Sequence, residues 1–254
     1  MITTTLALDL VANVLSALIY RIVAKMLAAR PVEGKARLAA WSFAAWWYVL
    51  ALLALYGAFA DVMSMLEAWT LPMLVTALNV LLLVILLALG GLVYYLLYLY
   101  TGREGTWKPV LAFYGLFWAY LVYHLQALGP KGIKAGAITP QLDYVRDPAT
   151  HPFAPILAIL LILPILAAAI AYFTLFFRTK EPTQRYRIAV VAASIVLWFS
   201  FSLVGSLAGV SQSLQWVVLS RAVSLAAAAG VYLAYRPPAW VQRRWHVDTV
   251  GRGT

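Results

Sequence analysis

The chain has 254 residues, of which 64% are hydrophobic and only 11% are charged, and its mean hydropathy is +0.86. Soluble domains average about 45–50% apolar and about 25% charged residues, so this composition excludes a soluble domain and predicts an integral membrane protein. The absence of cysteine excludes disulfides, thiolate metal sites and cysteine nucleophiles. The formal net charge of +10 is explained by the segments between membrane helices, and no nucleic-acid partner is expected.

Seven apolar stretches predict an all-α fold, a polytopic seven-transmembrane-helix bundle. Each is close to or above the roughly 20 residues that span a bilayer as a helix. The third stretch contains Gly90 and Gly91 and is too short for two spanning helices, so it is predicted to be one long helix. The predicted helices cover approximately residues 6–27, 38–59, 71–100, 109–128, 153–177, 188–210 and 214–235, and together they form a transmembrane domain over residues 1–235.

Lysine and arginine predict the orientation of the bundle, because they concentrate on the cytoplasmic side of membrane proteins. Most of them follow helices one, three, five and seven, whereas the opposite side holds only Lys131, Lys134 and Arg146. The N-terminus is therefore predicted outside and the C-terminus in the cytoplasm, in a multi-pass protein of the inner (cytoplasmic) membrane. The first helix is expected to be retained, because its positive charges follow the apolar run instead of preceding it.

Two segments outside the bilayer have predicted structure of their own. Within the outer loop 129–152, the stretch Ile133 to Val145 predicts a short hairpin over the mouth of the bundle. Residues 236–254 form a basic tail that begins Arg236-Pro237-Pro238. Since proline fits the first turn of a helix, residues 238–247 are predicted either as a short interfacial helix carrying Trp240 and Trp245 or as an irregular tail.

Ionisable and polar side chains inside the predicted helices are the candidate ligand-binding residues, because such groups are costly in a bilayer. Arg221 of helix seven is predicted to pair with Asp9 of helix one or Asp61 of helix two. Further polar residues lie in the outer halves of their helices and predict an outward-facing polar cavity. These are Asn13, Asn79, His124, Gln126 and Gln215. The alternative is that these groups form ion pairs and interhelical hydrogen bonds that only hold the helices together, or that Arg221 extends its charged end outward to the membrane interface.

No constellation of residues predicts catalysis, a metal site or a cofactor. His124 and His151 could lie close together, but His151 falls in a loop, whereas a spanning cytochrome holds its haem between facing helices. The nucleotide-binding, metalloprotease and serine-hydrolase motifs are absent from the sequence. Helix seven contains no lysine, which excludes a retinal Schiff base. We therefore expect no enzyme and no cofactor.

Two short motifs resemble a known family. Tyr100-Thr-Gly-Arg103, followed by Trp107 and an aromatic helix four, resembles the seven-transmembrane N-terminal sensor region of certain prokaryotic histidine kinases. The ending Tyr235-Arg-Pro-Pro-Ala-Trp240 also looks like the exit of those regions toward their output domains. The resemblance implies a sensor without a kinase domain, because those proteins continue into PAS or kinase domains and this sequence stops at Thr254.

The sequence thus favours a stand-alone, receptor-like membrane sensor of prokaryotic type that contacts the lipid bilayer and signals through a separate cytoplasmic or membrane partner. Its small-molecule ligand is unknown. One alternative is a non-catalytic subunit or assembly factor of a membrane complex. The other is a small-solute transporter, although no clear inverted repeat is present.

Overall fold

A computed structural model describes residues 2–29, 34, 36–136, 139–147, 153–207 and 214–245. Within these residues the chain is mostly helical, and the helices follow the order of the apolar stretches. The elements are α1 Ile2–Ala28, α2 Ala36–Met65, α3 Leu71–Thr101, a short 3-10 turn Glu104–Thr106, α4 Trp107–Ala127, β1 Pro130–Lys134, β2 Gln141–Tyr144, α5 Phe153–Arg178, α6 Pro182–Leu207, α7 Leu214–Tyr235 and α8 Ala239–Trp245.

Several of these helices have the length and composition of membrane spans. Among the described residues, five meet both requirements, and a shorter apolar helix covers Ile162–Arg178. The five are Leu6–Ala28, Ala36–Met65, Leu71–Thr101, Glu104–Ala127 and Val218–Tyr235. Large apolar side chains also stand exposed on them, among them Leu8, Leu116 and Tyr123, each more than 60% accessible. Such apolar surface suits contact with lipid, and the prediction of a helical membrane protein is confirmed.

The described structure consists of two compact units, Met1–Pro164 and Ile165–Thr254. In the first unit α1 packs along α2, α2 along α3, and α3 along α4. Two adjacent glycines explain how α3 packs between two neighbours. A Cβ atom on Gly90 would lie 3.2 Å from the ring of Tyr114 in α4, and one on Gly91 would lie 3.5 Å from the Ser42 carbonyl of α2. The Gly90-Gly91 pair therefore lets both neighbouring helices approach, and α3 is one continuous helix, as predicted.

The predicted hairpin is present in the first unit. Strands β1 and β2 pair antiparallel with Ile133 opposite Leu142, and Lys131 forms an ion pair with Asp143 at 3.3 Å. Helix α4 ends at Ala127, and Gly129, which precedes β1, has a φ of 69°, a conformation that favours glycine. Both strands contact α3, so the hairpin lies against the end of the helical unit near which α3 begins and α4 ends.

In the second unit α6 packs against α7. The helices come close at Gly230, where an added Cβ would overlap the Ser194 hydroxyl. After α7 the chain passes Pro237-Pro238 and forms α8, so the short helix predicted for the tail is confirmed over residues 239–245. Residues 246–254 lie outside the described residues.

Candidate functional site

The candidate site lies where α1 and α2 run side by side in the first unit. Small side chains line this contact and are buried, among them Ala17 of α1 and Ala54 and Ala58 of α2. Small residues allow membrane helices to approach closely. The same closeness brings polar side chains near the start of α1 next to those near the end of α2.

Three of the predicted polar residues meet at this contact, and we refer to Asp9, Asn13 and Asp61 as the polar cluster. Asn13 Nδ2 donates one hydrogen bond to Asp9 Oδ2 at 3.2 Å and another to Asp61 Oδ2 at 2.8 Å. Asp9 stands one helical turn before Asn13 on α1, whereas Asp61 belongs to α2. The amide of Asn13 therefore links the two carboxylates and joins the two helices.

The polar cluster is closed off from the surroundings of the unit. Asn13 and Asp61 are 0% exposed and Asp9 is 7% exposed. A side-chain amide has two N–H donors and one acceptor oxygen, and both donors of Asn13 are used. Its Oδ1 atom is buried and has no hydrogen-bond partner among the described residues. A buried polar atom without a partner normally costs free energy, which makes this oxygen the natural place for a further ligand.

Gly57 shapes the pocket in which the Asn13 amide sits. A Cβ atom at Gly57 would lie 2.9 Å from Asn13 Cγ, Nδ2 and Oδ1, closer than any real Cβ contact. Gly57 precedes Asp61 by one helical turn on the same side of α2. Gly57 was not predicted as a site residue, although a glycine one turn from an aspartate in an apolar helix was a usable signal.

The charges of the polar cluster define what it can do chemically. Two carboxylate oxygens lie within hydrogen-bonding distance of one nitrogen atom, and like charges this close repel each other. A proton or a small cation taken up between the carboxylates relieves this repulsion. Oxygen atoms of carboxylates and amides are also the usual ligands of hard cations, and Asn13 Oδ1 adds such an oxygen.

The other candidate residues of the first unit have different surroundings. Asn79 of α3 accepts a hydrogen bond through its backbone carbonyl from Trp118 Nε1 at 3.1 Å, which ties α3 to α4. Its own side-chain Oδ1 is buried and has no partner among the described residues. His124 of α4 contacts the rings of Tyr120 and Tyr123, while Gln126 is exposed on the surface of the unit.

Arg221 and Gln215 lie on α7 in the second unit. Arg221 is half-buried and Gln215 is exposed. The predicted pairing of Arg221 with Asp9 or Asp61 stays a prediction. His151 lies outside the described residues, and within the described part of the chain no group of three histidine, cysteine, aspartate or glutamate side chains forms a metal-binding cluster.

No protein-family model matches this sequence, and no characterised protein is significantly similar to it. The resemblance to the sensor regions of histidine kinases therefore depends on the predicted helix number and topology and on the two short motifs alone.

Proposed function

We propose that this chain is a receptor-like membrane sensor in which the polar cluster detects a small cation, the proton included, and that it signals through a separate partner. In this proposal all seven long helices cross the inner membrane of a prokaryotic cell, with the N-terminus outside. The polar cluster, near the start of α1 and the end of α2, then faces the outer half of the bilayer. The observation that carries the proposal is the bridge from Asn13 of α1 to Asp61 of α2.

The hydrogen bond from Asn13 to Asp61 couples cation binding to the arrangement of α1 and α2. A cation between the carboxylates replaces repulsion by attraction and supplies a partner for Asn13 Oδ1. Both effects strengthen the link between α1 and α2. A ligand shifts a conformational equilibrium only by binding one arrangement more tightly than another. The proposal therefore requires that the spacing of α1 and α2 differ between the occupied and the empty cluster.

Spin labels on α1 and α2 test this requirement directly. Leu15 and Leu55 are 46% and 52% exposed, and the chain has no cysteine of its own, so Leu15→Cys and Leu55→Cys give a doubly labelled protein without background. We expect the distance distribution between the labels to shift when Na⁺ replaces a bulky organic cation, or when the pH is lowered, in lipid bilayers.

The matched control for the label measurement replaces an aspartate of the hairpin instead of one in the polar cluster. Asp61→Asn should abolish the shift, whereas Asp143→Asn in the hairpin should leave it unchanged, because Asp143 pairs with Lys131 outside the polar cluster. A shift that survives Asp61→Asn, or the absence of any shift in the unmodified cluster, would contradict the proposal.

A small-solute transporter is the second candidate, and the two buried carboxylates of the polar cluster favour it. Intramembrane acids serve as proton or ion relays in transporters. On this alternative we expect liposomes containing the protein to carry Na⁺ or protons across the membrane, and Asp61→Asn to reduce the flux at least tenfold relative to Asp143→Asn. A change in the distance between the spin labels without ion transport would support the sensor. Ion transport that depends on Asp61 would support the transporter.

A further inference from the structure

A cavity lies entirely within the second unit, and none of its lining residues belongs to the polar cluster. It has a volume of about 590 Å³ and is formed where α5 ends, α6 begins, and α7 leads into α8. Its wall is mostly apolar and aromatic, with two cationic side chains, one between α5 and α6 and one in the first turn of α6. Its lining includes Phe176, Lys180, Arg185, Leu233, Trp240 and Trp245.

Helix α8 is held in place as one wall of this cavity. Val241 is buried at 5% exposure, and Gln242 Nε2 donates a hydrogen bond of 2.6 Å to the Pro237 carbonyl. Trp240 and Trp245, in contrast, are 63% and 60% exposed. The short helix therefore packs against its unit through Val241, and its two indole rings line the cavity. This arrangement is typical of a helix at the membrane interface.

The charge around the cavity is strongly positive. Lys180 and Arg185 are both exposed side chains of the lining, and the Arg185 guanidinium lies over the Phe176 ring at 4.7 Å. Arg243 and Arg244 follow on α8. Glu181, which does not line the cavity, is the one acidic residue in the sequence between positions 165 and 245. An anion near the lining is therefore attracted without a competing carboxylate in the wall.

We propose that this cavity binds a phospholipid with an anionic headgroup. Lys180 and Arg185 pair with the phosphate, the indoles of Trp240 and Trp245 lie at the level of the headgroup and glycerol, and Leu233 and Phe176 contact the first part of an acyl chain. Basic residues next to membrane helices attract anionic lipid. The apolar wall favours a lipid over a soluble anion, because a phosphate ion alone gains nothing from contact with leucine, phenylalanine and tryptophan.

Lipid-binding measurements on the full-length chain test the proposal. Native mass spectrometry of the purified protein with phosphatidylglycerol should show a specifically retained lipid that phosphatidylcholine does not replace. Lys180→Gln combined with Arg185→Gln keeps the aliphatic stems but removes both charges, and we expect it to weaken phosphatidylglycerol binding about thirtyfold. Arg103→Gln combined with Lys108→Gln removes two charges from the connection after α3 and the first turn of α4, and it should leave the binding within about twofold.

Quenching by brominated phosphatidylglycerol locates the lipid without relying on affinity. Replacing Trp240 and Trp245 by phenylalanine should remove most of the quenched fluorescence, although the chain has ten tryptophans. Equal loss of binding in both glutamine pairs would show that only overall charge matters and would overturn the proposal. Displacement of the lipid by glycerol phosphate at similar concentration would instead identify a soluble anion as the ligand, and this too would overturn it.

Discussion

Gly57→Ala is expected to destabilise the first unit by about 2 kcal/mol, although alanine is normally the better helix former by up to about 1 kcal/mol. The added Cβ would lie 2.9 Å from three atoms of the Asn13 side chain. That side chain cannot simply turn away, because both of its N–H groups are held by Asp9 and Asp61. The thermal or denaturant-induced unfolding of the purified protein in detergent measures the change.

Gly115→Ala is the matched control for this prediction. Gly115 is also a glycine within a membrane-length helix, and an added Cβ there meets no atom within 4 Å. Its replacement should leave the stability unchanged or raise it slightly, because alanine favours the helix. If Gly57→Ala changed the stability as little as Gly115→Ala, the result would contradict the close packing of Gly57 against Asn13.

A double mutant tests whether Gly57→Ala destabilises the unit through a clash between the new methyl group and the Asn13 side chain. Asn13→Ala removes the atoms that the new methyl group would meet, so the pair Asn13→Ala and Gly57→Ala should cost less than the sum of the two single changes. Contacting residues commonly show coupling of about 0.5–3 kcal/mol. Strict additivity would mean that the two side chains do not compete for the same space.

The helices were predictable from the sequence because a bilayer imposes a length and a composition on each span. The apolar run from Leu71 to Tyr100 identified α3 within one residue at its end, and the turn-forming glycines and prolines of the outer loop indicated the hairpin. Pro237-Pro238 likewise marked the start of α8. These are local signals, and each depends on a few neighbouring residues only.

The polar cluster was predictable only in part, since it depends on which helix faces lie against each other. The sequence identified Asp9, Asn13 and Asp61 as unusual for a membrane span, but it favoured Arg221 as the partner of either aspartate. Helical periodicity places Asp9 and Asn13 on one face of α1, yet it does not determine that Asn13 meets Asp61. That contact follows from the register of α1 against α2, which Gly57 and the buried alanines set.

The cavity beside α8 was missed because its lining comes from four separate segments of the chain. Lys180 and Arg185 were counted among the charges that orient the bundle, and Trp240 was treated as an interfacial anchor. Neither interpretation required the cationic side chains to lie close to Trp240. Only the packing of α8 against the second unit through Val241 brings the indoles to the same cavity as the cationic side chains.

Asn13→Leu is expected to be the most damaging single substitution in the polar cluster, with a loss of about 3 kcal/mol in the free energy of unfolding. Leucine has nearly the shape of asparagine, so the change removes the bridging amide without opening a large cavity. Asp9 and Asp61 then lose the shared donor while they remain buried and close to each other. Ser16→Ala, one turn further along α1, should cost less than about 1 kcal/mol, because among the described residues the Ser16 hydroxyl bonds to the Ala12 carbonyl of its own helix.

Adding Asp9→Asn to Asn13→Leu distinguishes the electrostatic explanation from a packing defect. The new amide at position 9 removes one negative charge and supplies an N–H donor next to Asp61, so the double mutant should recover at least half of the stability that Asn13→Leu loses. A packing defect caused by leucine would not respond to a change at position 9. Recovery would therefore show that the loss in Asn13→Leu comes from the two buried carboxylates, through their repulsion and the missing donor, which are the same two features that a bound cation or proton would change.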